Sequence, residues 1–127
     1  MADLPPPRKT ILIVDDELSI RSALAELLED EGYPVAVVRT GQEAIQYLEQ
    51  HPLPPCLILL DMMMPEMTGL EFRRYQQEHP PLADIPVVAM SANLHLAQAA
   101  QVLGVTDYLQ KPFDLPTLMA AVVRNCG

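Results

Sequence analysis

Four short apolar runs, each ending at a polar or charged side chain, recur along the chain between segments of helical spacing. They predict strands over Thr10–Asp15, Pro34–Arg39, Cys56–Asp61 and Pro86–Ser91, and a shorter fifth strand follows over Asp107–Gln110. A continuous apolar run of this length is typical of a strand that is covered on both faces of a parallel sheet. The chain therefore favours an α/β fold.

The segments between these runs carry the spacing and the end signals of amphipathic helices. The first has apolar residues at 20, 24, 27 and 28 and stops before Gly32. The second and third open with the capping boxes Thr40–Glu43 and Thr68–Glu71. The fourth is an Ala-rich helix over Leu94–Leu103, which Gly104 ends.

The last predicted helix begins after Asp114, whose side chain can cap it. Its predicted apolar face consists of Leu115, Leu118, Met119, Val122 and Val123. The chain thus repeats a strand–helix unit five times, and right-handed crossovers leave few topologies for it. We predict a doubly wound five-stranded parallel sheet of order 2-1-3-4-5. The fold would occupy residues 10–127 and follow a Pro-rich, poorly ordered tail over residues 1–9.

The strand order determines where function is expected. Ligands of open parallel sheets bind at the carboxyl ends of the strands, where the strand order reverses. Strand one ends in Asp15 and Asp16, strand three in Asp61 and strand four in Ser91, and strand five leads into Lys111. Three clustered carboxylates repel one another unless a hard cation such as Mg²⁺ lies among them. An ammonium and a hydroxyl beside them suit phosphoryl transfer to a carboxylate.

Each of these residues also has an ordinary structural explanation. A single Asp at a strand end is more often a helix cap, a Lys before Pro is usually a surface charge, and Ser91 could cap the next helix. Their joint occurrence at corresponding ends of four strands favours the functional interpretation.

The sequence resembles the receiver domain of two-component response regulators. The matching segments are ILIVDDE from residue 11, LILLDMMMPEMTGLE from 57, PVVAMSA from 86 and DYLQKPF from 107. The resemblance covers roughly residues 10–125 and implies the flavodoxin-like (βα)5 fold.

The resemblance also implies a role for each matched residue. Asp61 is the phosphorylated aspartate, and Lys111 and Ser91 contact the phosphoryl group. Asp16 binds Mg²⁺ directly, Asp15 acts mainly through water, and the Met63 carbonyl completes the metal site. Tyr108 is the aromatic residue that turns inward when Ser91 moves, and Pro112 follows a cis peptide bond.

The resemblance therefore implies a signalling module, and we expect it to be cytoplasmic because the sequence offers neither a membrane span nor a secretory signal. A histidine kinase or phosphotransfer protein donates the phosphoryl group, and an unknown downstream protein reads the surface of the fourth helix, fifth strand and fifth helix. Such a module catalyses only its own phosphorylation and dephosphorylation, so it is not an enzyme in the usual sense. The chain is either a stand-alone regulator or a receiver excised from a larger regulator or hybrid kinase.

Two other interpretations are disfavoured by the sequence. A haloacid-dehalogenase-like phosphatase is disfavoured because that family needs an acid two residues after its nucleophile, where this chain has Met63. A degenerate receiver could instead bind proteins without phosphorylation, although all five residues that the resemblance makes central to the site are present.

Charge and cysteine content bear on partners and location. The chain has 8 Lys and Arg against 17 Asp and Glu, a net charge of −9, so we expect no direct binding to nucleic acid. No apolar run is long enough to span a bilayer. Cys56 and Cys126 lack metal-ligand spacing, and we predict two reduced thiols.

Overall fold

The computed structural model describes residues 9–63, 67–93, 95 and 104–126. Most of the predicted tail and of the predicted fourth helix lies outside these ranges. Five strands form one parallel sheet of order β2-β1-β3-β4-β5, which confirms the predicted topology. The strands are β1 (Ile11–Val14), β2 (Val35–Val38), β3 (Leu57–Asp61), β4 (Val87–Ser91) and β5 (Asp107–Gln110).

The described helices are α1 (Leu18–Asp30), α2 (Gly41–Gln50), α3 (Gly69–Glu78), α4 (Pro80–Ala83) and α5 (Leu115–Cys126). The one-turn helix α4 was not predicted. It begins at Pro80, and a proline that ends one helix also suits the first turn of the next, where its missing N–H has no helical acceptor. Among the described residues, no helix is long and apolar enough to cross a membrane.

The apolar strands divide their side chains between two cores, because successive residues of a strand point to opposite faces. On β1, Leu12 and Val14 join a cluster on the side of α2 and α3. Ile11 and Ile13 join a cluster on the other side, with α1 and α5. Covering both faces explains why the strands read as continuous apolar runs.

The helix ends follow most of the predicted signals. At α3, Thr68 and Glu71 form the complete capping box. At α2, Thr40 accepts a hydrogen bond from the Glu43 amide, but the Glu43 carboxylate accepts from the Arg39 amide instead of closing the box. Asp114 accepts from the Thr117 amide, which confirms the cap of α5. These caps fix where each helix leaves the sheet edge.

The predicted apolar face of α5 is partly wrong. Leu118 and Val122 are buried, and so is Ala121, but Leu115 is 38% exposed and Val123 is 54% exposed. A helix that packs on one face of a sheet buries a narrow stripe at i, i+3 and i+4, and that stripe is 118, 121 and 122.

The prediction of two reduced thiols is also wrong, because Cys56 and Cys126 are joined by a disulfide across 70 residues of sequence. Cys56 directly precedes β3, and Cys126 is the last residue of α5, which packs against the sheet. The fold therefore brings two distant cysteines together at the amino edge of the sheet. Spacing in the sequence carries no sign of this.

We predict that Gly69→Ala destabilises the protein by about 1–3 kcal/mol, the usual cost of overpacking. A Cβ at residue 69 would lie 2.8 Å from the Met62 Cα and 3.0 Å from the Asp61 carbonyl oxygen, so backbone must shift. The matched control is Gly41→Ala, also at the first position of a helix. There the nearest atoms belong to the flexible Met67 side chain. Urea unfolding of both variants is the measurement, and an equal loss in the two would contradict the prediction.

Candidate functional site

The carboxyl edge of the sheet brings the predicted site residues together. Asp15 and Asp16 follow β1, Asp61 ends β3, Ser91 ends β4, and Lys111 follows β5. The strand order reverses between β1 and β3, so the acidic residues stand on either side of the reversal.

The three aspartates form a compact acidic cluster. One carboxylate oxygen of each lies within 4.8 Å of the others, and within the described ranges no other group of three His, Cys, Asp or Glu side chains could hold a metal ion. Asp15 is 0% and Asp61 is 2% exposed, whereas Asp16 is exposed. Two carboxylates are therefore buried side by side, and the third opens to solvent.

Lys111 supplies the positive charge opposite this cluster. Its Nζ lies 2.9 Å from Asp15 Oδ2 and 3.7 Å from Asp61 Oδ1. Burial of the ammonium lowers the pKa of Lys111, but the hydrogen bond to Asp15 and the charge of Asp61 outweigh it, so the net pKa is raised. The ammonium thus stays charged between two buried carboxylates.

The backbone of Lys111 is fixed as well. Its amide donates to the Ser91 carbonyl at 2.9 Å, which ties the end of β5 to the end of β4. The Lys111–Pro112 peptide bond is cis, the isomer that the resemblance implies.

The same local turn orients three of the site's side chains. The Glu17 amide donates to Asp15 Oδ1 at 2.9 Å, and the Met63 amide donates to Asp61 Oδ1 at 3.0 Å. The Asn93 amide donates to the Ser91 hydroxyl oxygen at 2.9 Å. In each case a polar side chain at a strand end accepts from the amide two residues later, which is a turn that Asp and Ser favour. The same three side chains therefore both stabilise the turns after the strands and form part of the candidate site.

Arg21 is a contributor that the sequence did not reveal. Its guanidinium donates to the Asp15 carbonyl oxygen at 3.0 Å, from the first turns of α1. It therefore holds the loop that carries Asp15 and Asp16. It is six positions after Asp15 in the sequence, and a single Arg on an amphipathic helix carries no local signal of such a contact.

The pKa of Asp61, the candidate phosphoryl acceptor, is shifted from its ordinary value. Burial raises the pKa of Asp61 to about 7, the Met63 amide opposes this, and the neighbouring Asp15 charge raises the pKa again. Lys111 lowers the pKa, but not enough to offset burial. A carboxylate in this setting is destabilised without an additional positive charge nearby.

The donor set fits a hard divalent cation. Three carboxylates face one ammonium, so one positive charge is too few to balance the cluster, and carboxylate oxygens are the ligands that Mg²⁺ prefers. Met63, whose carbonyl the resemblance assigns to the metal, lies beside Asp61 and is bonded to it through its amide. Tyr108, the predicted switch residue, is partly buried against the hydrophobic core between the sheet and helices α2 and α3.

Comparison with known proteins agrees with this arrangement. The family described as "Response regulator receiver domain" matches residues 11–123. This chain belongs to that family. Receiver domains are phosphoacceptor signalling modules of two-component systems that pair with histidine kinases or phosphotransfer proteins, and they typically bind Mg²⁺ at an acidic cluster such as Asp15, Asp16 and Asp61.

Individual relatives differ in length. The receiver is 37% identical over 115 residues to the response regulator RR06 of Streptococcus pneumoniae, covering 88% of this chain and 50% of RR06. It is 38% identical over 118 residues to an uncharacterized 14.6 kDa protein of Leptolyngbya boryana, covering 91% of this chain and 88% of that protein. The chain thus spans about half of RR06 and most of the smaller protein.

The fold is similar to solved structures of the same family. The chemotaxis protein CheY4 of Vibrio cholerae superposes with a TM-score of 0.83 at 29% identity, covering 93% of this receiver and 98% of CheY4.

We predict that, without divalent metal, the wild-type receiver loses stability relative to Asp61→Asn as pH rises from about 5 to 8. The raised folded-state pKa of Asp61 means that the folded protein keeps this proton at pH values where the unfolded chain has lost it. This contribution is full below the unfolded pKa and disappears as pH rises through about 7. The relative loss is on the order of 1–3 kcal/mol.

Unfolding by urea in EDTA across this pH range measures the difference. Asp30→Asn, an exposed acid at the end of α1, is the matched control and should run parallel to wild type. Parallel curves for wild type and Asp61→Asn would refute the assigned cause.

Proposed function

We propose that Asp61 of this receiver accepts a phosphoryl group from a phosphohistidine of a histidine kinase or phosphotransfer protein, in a reaction that requires Mg²⁺. The supporting observation is the position of Asp61, which is buried at the carboxyl edge between the Lys111 ammonium and two further carboxylates. An ordinary helix cap would not be enclosed by such charges.

The residues of the chain divide the work. Mg²⁺, bound by Asp15, Asp16, Asp61 and the Met63 carbonyl, would supply the positive charge that lets the carboxylates and phosphoryl oxygens lie together. An Asp61 oxygen attacks phosphorus, and the bond from phosphorus to the histidine nitrogen breaks. The Lys111 ammonium already lies close to Asp61 and stabilises the negative charge of the phosphoryl group. The Ser91 hydroxyl donates a hydrogen bond to a phosphoryl oxygen. At the carboxyl edge, we assign to the chain only its own phosphorylation and dephosphorylation.

The proposed output is a change in the surface read by a downstream protein. Ser91 and Lys111 are linked by the bond from the Lys111 amide to the Ser91 carbonyl, so the two groups that contact the phosphoryl share one backbone connection. Tyr108 lies on β5, directly before Leu109, Gln110 and Lys111. A shift of Ser91 would therefore be transmitted to Tyr108 and to the surface of β5 and α5, which the sequence predicts to include the fourth helix.

The partners are expected to be proteins. Histidine kinases form phosphohistidine from ATP, so we expect the exchange to take place in the cytoplasm. The net charge of −9 opposes direct contact with nucleic acid or with an anionic membrane surface.

We predict that acetyl phosphate with Mg²⁺ adds one phosphoryl group to wild type and that Asp61→Asn abolishes the addition. Asn has nearly the same size and shape as Asp, so the variant should keep the fold. Its amide is not a nucleophile of carboxylate strength, so the variant should lose the phosphoryl acceptor. Mass spectrometry of the intact protein measures the label. Asp30→Asn serves as the control and should label like wild type.

Magnesium gives a second readout in the same experiment. Wild type should label only when Mg²⁺ is present, and its melting temperature should rise with Mg²⁺ because the ion binds the folded state. Wild type that takes no label under any of these conditions would instead favour a phosphorylation-independent binding module.

We predict that Ser91→Ala still accepts the phosphoryl group, but more slowly, and no longer transmits it to Tyr108. The variant keeps Asp61 and Lys111 and lacks only the hydroxyl. Beryllofluoride, a phosphoryl mimic, should change the environment of Tyr108 in wild type and leave it unchanged in Ser91→Ala, as seen by NMR of the tyrosine ring. The same response in both proteins would exclude Ser91 as the switch.

A further inference from the structure

The amino edge of the sheet, opposite the phosphoacceptor site, contains an open cavity beside the disulfide. The cavity has a volume of about 490 Å³, and both Cys56 and Cys126 line it, together with Lys9, Asn125 and several prolines. Neither half-cystine is fully buried. The disulfide therefore lies beside an open cavity of the folded chain and is partly exposed to solvent.

The disulfide connects two elements that lead to the phosphoacceptor site, β3 and α5. Cys56 directly precedes β3, the strand that ends in Asp61. Cys126 ends α5, which begins four residues after Lys111. The disulfide thus joins β3 and α5 at the amino edge of the sheet. At the carboxyl edge, β3 ends in the acceptor Asp61, and α5 begins shortly after Lys111. The disulfide also closes a loop of 70 residues, which restricts the unfolded chain strongly.

We propose that Cys56–Cys126 is a thiol–disulfide exchange site for a dithiol reductant, and that its redox state sets how firmly α5 is held to the sheet. Exposed disulfides are generally more easily reduced than enclosed ones, and cytosolic disulfides are usually transient and redox-sensing. This inference is independent of phosphorylation, because it requires neither Asp61 nor Mg²⁺.

The exchange transfers two electrons in two steps. A thiolate of the dithiol attacks one sulfur, the Cys56–Cys126 bond breaks, and the other cysteine leaves as a thiolate that takes up a proton. The second thiol of the reductant then attacks the mixed disulfide and releases the first cysteine. Two electrons pass to the receiver, which gains two thiols, and the reductant becomes a disulfide.

The reduced receiver should remain folded but be less stable. Leu118, Ala121 and Val122 still bury the inner stripe of α5, so the helix stays docked without the crosslink. Loss of the loop constraint should lower the melting temperature by on the order of 10 °C. The amides of α5 should exchange with deuterium faster than those of β1, which is an interior strand of the sheet.

The test treats air-oxidised full-length protein with dithiothreitol and compares it with the double variant Cys56→Ser/Cys126→Ser. Trapping with iodoacetamide and intact mass should show no free thiols before treatment and two afterwards. The melting temperature of wild type should fall to near that of the double variant, and the reductant should not change the variant.

The reduction rate distinguishes an accessible site from one reached only by unfolding. We expect reduction at a rate that low, non-denaturing urea leaves unchanged. A rate that climbs steeply with urea would mean that the disulfide reacts only in opened molecules, and it would overturn the proposal. Two free thiols in the oxidised protein, or an unchanged melting temperature after complete reduction, would overturn it equally.

Discussion

The contact of the Lys111 ammonium with Asp15 and Asp61 is the interaction on which the rest of the site depends. It connects the loop after β5 to the ends of β1 and β3, and so closes the carboxyl edge across four of the five strands. Without it, two buried carboxylates would stand together uncompensated, which is among the costliest arrangements in a protein interior. The lysine therefore stabilises the edge and at the same time leaves a charge deficit that suits a cation.

The sequence predicted those features that depend on local patterns or on topology. Continuous apolar runs marked the strands because both faces of the sheet are covered, and the Thr68 capping box marked α3 because its hydrogen bonds span only three residues. The convergence of Asp15, Asp61 and Lys111 followed from strand order alone, since parallel strands end at one edge. Their distances, and the raised pKa of Asp61, required the packed structure.

Features that depend on the exact packing of distant segments could not be predicted. The disulfide requires the end of α5 to lie beneath the start of β3, and no pattern near Cys56 or Cys126 encodes that proximity. The contact of Arg21 with the Asp15 carbonyl depends on how α1 leaves the sheet edge. The exposure of Val123 depends on how α5 is rotated about its own axis, which hydrophobicity alone does not determine.

The direction of β3 keeps two reactive ends apart. The strand has five residues, so Cys56 and Asp61 are separated by about 17 Å of extended backbone. A reagent bound at one end does not obstruct the other, and the central strand between them is fully buried. If Asp61 accepts a phosphoryl group and the disulfide exchanges, as we propose, the chain has four covalent forms. A protein that contacts α5 would then respond through this one helix both to the redox state of the disulfide and to phosphorylation of Asp61.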